Sequence, residues 1–75
     1  MNISMTMTCK KIEQEISLKK EDKIYITKLV ITKNILIPEQ EGWEICWKYT
    51  DYRDALDKYI SLAVEQAVFI ATMSL

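Results

Sequence analysis

The chain contains no histidine. That excludes imidazole acid–base chemistry, every Ser–His or Cys–His nucleophile and most zinc sites. Its one glycine, Gly42, excludes a glycine-rich phosphate loop. One proline and no low-complexity run exclude a long flexible linker. Cys9 and Cys46 are the only cysteines, so at most one disulfide is possible. They read as small buried hydrophobes in a reducing compartment. The first nine residues are apolar only at every second position, which is not a signal core. The expected location is cytoplasmic. A formal charge of -1 favours neither nucleic acid nor its absence.

What is present is apolar material in a short chain. Seventy-five residues make a single domain, 1–75. Leu, Ile, Val and Phe together number 21, too many for a disordered segment. A domain of this size buries only about 60% of its unfolded surface. Partners or self-association are therefore expected to add to its stability.

Met1, Ile3, Met5, Met7 and Cys9 alternate with polar neighbours, the period of a half-buried strand. The parity then switches to Ile12, Ile16 and Leu18. A bulge in one long strand accounts for the switch, and a helical turn over residues 8–18 is the competing reading. Lys19 to Asp22 reads as a charged loop. Lys23 to Thr32 is rich in β-branched residues and reads as a strand. Lys33 and Asn34 can turn the chain, and Ile35 to Ile37 extend it as far as Pro38. Trp43, Ile45, Trp47 and Tyr49 alternate as a further strand.

Thr50 or Asp51 caps a helix running over about residues 51–72. On a helical wheel, Tyr52, Leu56, Tyr59, Ile60, Ala63, Ala67, Ile70 and Ala71 share a broad face taken as the core side. The architecture expected is α+β: a small antiparallel meander of three to four strands within 1–49, then one long C-terminal helix packed on one face.

Three features bear on function. Ala55, Leu62, Phe69 and Met73 form a second apolar stripe outside the expected core face. It reads as a self-association surface, with a dimer the first expectation. The stretch from Leu62 to Leu75 is too short and too polar to span a membrane. Glu39, Glu41, Glu44, Asp51, Asp54 and Asp57 form an acidic stretch interleaved with Trp43, Trp47, Tyr49 and Tyr52. Such a surface complements a protein partner with a basic groove. The opposing reading places the tryptophans in the core, and uses Asp51 and Asp54 on the helix dipole with an Asp54–Lys58 pair. Third, residues 1–38 carry seven lysines against four acids, and residues 39–75 carry three bases against seven acids. Lys19, Lys20, Lys23, Lys28 and Lys33 could meet phosphates. No arginine and only Tyr25 accompany them, so guarding a strand edge explains them better.

No catalytic residue, cofactor site or metal site stands out. These features favour a non-catalytic inhibitor or accessory factor that occludes a basic partner surface. Phage-encoded inhibitors of host nucleases, anti-CRISPR proteins among them, are similar in size and general make-up, a likeness that no residue motif carries. A nucleic-acid-binding regulator and a structural homo-oligomer subunit are the alternatives.

Overall fold

The computed structural model describes residues 2–73. Met1, the first position of the alternating pattern, lies outside them, as do Ser74 and Leu75. Four antiparallel strands lie in sequence order: β1 (Asn2–Thr8), β2 (Ile12–Glu21), β3 (Ile24–Asn34) and β4 (Glu44–Tyr49). A short 3-10 turn, Pro38–Gln40, precedes β4, and α1 (Tyr52–Met73) follows it. This is the expected α+β meander with one helix packed on one face.

The parity switch after Cys9 is a hairpin, not a bulge in one strand and not a helical turn. Cys9 N–H donates to the Ile12 carbonyl at 2.8 Å, closing a two-residue loop at Lys10 and Lys11. Residues directly opposite each other in antiparallel strands share a face. Here Ile3 faces Leu18 and Met5 faces Ile16, so odd positions of β1 and even positions of β2 point to the same side. Lys19 to Glu21 also belong to β2 rather than to a loop. The turn is Asp22 and Lys23, with Asp22 at φ 59, a left-handed conformation that Asp tolerates better than most residues.

A bulge does occur one strand later. The β2–β3 register shifts between Glu13 and Gln14, and Thr32 is skipped. The shift brings both Ile31 and Asn34 to the covered face. Asn34 therefore ends β3 as a buried residue rather than forming an exposed turn. Its side-chain carbonyl accepts from Ile37 N–H at 2.8 Å, and its own N–H donates to Glu41 Oε1 at 3.1 Å. These bonds hold the loop that carries Ile35, Leu36 and Ile37 outward.

The core lies between α1 and the two central strands. Ile16, Leu18, Leu29 and Ile31 meet Ala55, Tyr59 and Leu62. Ala55 is 0% exposed and carries no side chain beyond Cβ, so the helix can approach the sheet closely there. Thr27 Oγ1 donates to the Ala55 carbonyl at 2.8 Å, satisfying a buried hydroxyl at that contact. Further along, Gln14 Nε2 on β2 donates to Gln66 Oε1 at 2.8 Å. The helix thus crosses from β3 towards β2 as it runs.

These contacts correct the expected helix faces. Ala55 and Leu62, read as an outer self-association stripe, are buried in the chain's own core. Phe69 is half-buried, and only Met73 of that set is exposed. Conversely Ile60, Ala67 and Ala71, assigned to the core side, face outward. The helix carries apolar residues on both its inward and its outward side, so hydrophobicity alone fixes its rotation poorly. Two hydrogen bonds accompany the observed rotation: half-buried Gln66 accepts from buried Gln14, and the Ala55 carbonyl accepts from Thr27.

Candidate functional site

The six acids of the candidate partner surface do not form one patch. Glu39, Glu41 and Glu44 precede or open β4, whereas Asp51, Asp54 and Asp57 follow its far end. Six residues of strand separate the groups by roughly 20 Å. Several are already engaged. Glu41 accepts from Asn34, and Glu44 pairs with Lys28 Nζ at 3.5 Å. Asp51 caps α1: its Oδ1 accepts from Arg53 N–H at 2.8 Å, and its carbonyl accepts from Ala55 N–H at 3.3 Å. Asp51→Ala is therefore expected to lower stability by about 1 kcal/mol. Chemical denaturation checks this, and an unchanged midpoint would remove the capping role.

Glu39, Asp54 and Asp57 remain, all exposed and without an ion pair among the described residues, but Glu39 lies in the turn before β4, apart from the two helix acids. Lys58 does not pair with Asp54. Its ammonium lies 4.3 Å from the centre of the Trp47 ring, a cation–π contact across α1 and β4. Trp47 is half-buried beneath it, as a core reading requires, but Trp43 is 47% exposed. Tyr52 packs its ring 5.5 Å from that of Tyr25 at the start of the helix.

Asp57 leads into an outward stripe that combines Ile60, Ala67 and Ala71 of the expected core face with Val64 and Val68, which neither expected face included. Ile60, Val64 and Val68 are 51%, 59% and 61% exposed, with exposed Ala67 and Ala71 beside them. Positions 60, 64, 67, 68 and 71 fall on one side of an α-helix, opposite Ala55, Tyr59 and Leu62. Asp54, Ser61 and Glu65 run along the border of this stripe, with Ser61 Oγ 3.5 Å from Glu65 Oε1. The sequence signal was present in the four-residue steps from Ile60 to Val64 to Val68. It was masked by equally apolar residues on the inward side.

Four of the five candidate phosphate-contacting lysines have a partner, and the fifth, Lys23, is exposed in the β2–β3 turn. Lys19 pairs with Glu21 at 3.4 Å, Lys28 with Glu44, and Lys33 donates to the Lys10 carbonyl at 2.9 Å. Lys20 sits over the Tyr25 ring. Cys9 follows β1 and Cys46 lies in β4, the opposite edge of the sheet, and neither is in a disulfide. Cys46 is exposed rather than buried. Among the described residues, no group of three acidic or thiol side chains is placed to hold a metal ion. No described helix is long and apolar enough to cross a membrane. No protein-family model, curated protein or solved structure matches the chain.

Proposed function

We propose that the chain is a non-catalytic binding protein of the inhibitor or accessory type, occluding a basic-rimmed surface of a protein partner with the outward side of α1. One observation carries this reading: the unpaired Asp54 and Asp57 continue directly into Ile60, Val64 and Val68, each more than half exposed. Spacing of four and eight residues is how an amphipathic helix anchors in an apolar groove. Bordering acids then select a groove rimmed by Lys and Arg, and speed the encounter. A groove that normally holds phosphates has such a rim, so a nucleic-acid enzyme of the host is the partner class this surface fits. The binding acids narrow from six to Asp54 and Asp57, with Glu65 at the border.

The test uses immobilised wild-type chain and two folded variants in nuclease-treated host lysate. Asp54→Lys with Asp57→Lys reverses the acids, and Ile60→Asp with Val64→Asp breaks the apolar stripe. Circular dichroism establishes that each variant keeps its helix. A protein retained by wild type and lost from both variants is the expected result. Equal retention by all three would exclude this face of α1 as the docking surface.

A further inference from the structure

The two edges of the sheet differ. The β4 edge carries Glu44 and Lys48, and Lys58 covers its Trp47. Charges on an edge strand discourage pairing with another chain. The β1 edge, Asn-Ile-Ser-Met-Thr-Met-Thr, has no charge and no proline, and its register against β2 runs without a shift from Asn2 to Thr8. The hydrogen-bond phase shows which groups this edge presents. Cys9 and Ile12 form a hydrogen-bonded pair, and such pairs alternate along an antiparallel ladder. Met7, Met5 and Ile3 therefore bond to β2, while the N–H and C=O groups of Asn2, Ser4, Thr6 and Thr8 point away from the sheet. No hydrogen bond from another described segment reaches them.

We infer that this edge pairs antiparallel with the β1 edge of a second copy, about a two-fold axis at Met5. The strand is self-complementary in that register. Asn2 faces the second copy's Thr8, Ser4 faces its Thr6, and these are the residues whose backbone groups are free. Met5 faces Met5 and Ile3 faces Met7 as non-hydrogen-bonded pairs, whose side chains lie closest. All of these odd positions are on the helix side of the sheet, where Met5 is still 37% exposed. The second copy's Met5 would cover it, and methionine adapts well to such a contact. On the other face, Ser and Thr hydroxyls meet, a favourable cross-strand pairing. No like charges oppose each other anywhere along the pair. The contact joins two four-stranded sheets into one and removes both bare edges. It uses a surface separate from the outward side of α1, so it stands whether or not that side binds a partner.

The experiment combines mass and crosslinking on the full chain. Sedimentation equilibrium is expected to give twice the 8.8 kDa chain mass. Thr6→Pro removes an N–H that points away from β2, so the monomer fold survives while the pairing is blocked. Its expected mass is that of one chain. Should that variant fail to fold, crosslinking decides alone. With Cys9 and Cys46 replaced by Ser, Met5→Cys is expected to give a reducible dimer on mild oxidation, because non-hydrogen-bonded partners lie about 4.5 Å apart at Cα, within disulfide reach. Thr8→Cys in the same background is expected to give none, since the two copies of residue 8 sit at opposite ends of the pair. A single-chain mass for the wild type, equal crosslinking at positions 5 and 8, or oxidation of the wild type through Cys46 would each overturn the inference. The last would place the contact at β4.

Discussion

Ile16→Ala is expected to destabilise the fold by about 2–5 kcal/mol, the range for removing a large aliphatic side chain from a packed core. Ile16 is fully buried on β2, with Met5 and Leu29 across from it and the inward side of α1 above. A chain of this length holds on the order of 4–11 kcal/mol in total. The loss is thus a large share of the whole, and the urea midpoint should fall by about 2 M or more, given a slope near 1 kcal/mol/M for a small domain. The matched control is Ile60→Ala on the helix. Ile60 is the same residue type but faces solvent, so the change should stay within about 0.5 kcal/mol. The contrast measures the rotation of α1 as well as the core. If Ile60→Ala costs as much as Ile16→Ala, the helix presents its other side to the sheet and the outward stripe does not exist.

How much of this was legible in the residues depends on which physical signal set each feature. The strands were legible because period-two alternation survives in β1, β2 and β4, where one face is covered. The turn at Lys10 and Lys11 was harder, since it uses neither Gly, Asn nor Pro. Its mark was the parity switch itself. A two-residue hairpin loop forces odd positions on one strand to share a face with even positions on the next. The bounds of α1 were legible from Asp51 and the long periodic run, but its rotation was not. Val64 and Val68 are as apolar as anything facing the sheet, whereas Gln66 is polar and turned inward. A wheel that ranks residues by hydropathy puts such a helix in the wrong phase. The acidic stretch failed for a different reason. Nearness in sequence is not nearness in space when an extended strand intervenes, and β4 carries Glu44 away from Asp51. Local duties then absorb three of the six acids: Asn34 takes Glu41, Lys28 takes Glu44, and the helix cap takes Asp51.

The pair that accompanies the helix rotation is itself measurable. Gln66→Met should cost about 1–3 kcal/mol, because it leaves the buried Gln14 amide without its acceptor. Gln14→Met should cost less, since the half-exposed Gln66 can turn to water. The double variant replaces both amides by apolar chains of similar shape and should recover most of the loss, because no unsatisfied group remains. A double-mutant cycle by urea denaturation would then show a coupling of about 0.5–3 kcal/mol. Additive costs would mean that the two amides do not act together. The cycle also bears on binding. If apolar contact between the two methionines can replace the Gln14–Gln66 bond in keeping Ile60, Val64 and Val68 outward, partner retention should survive in the stable double variant. Loss of retention there, with the helix intact, would show that a change of rotation withdraws the docking face even when stability is restored.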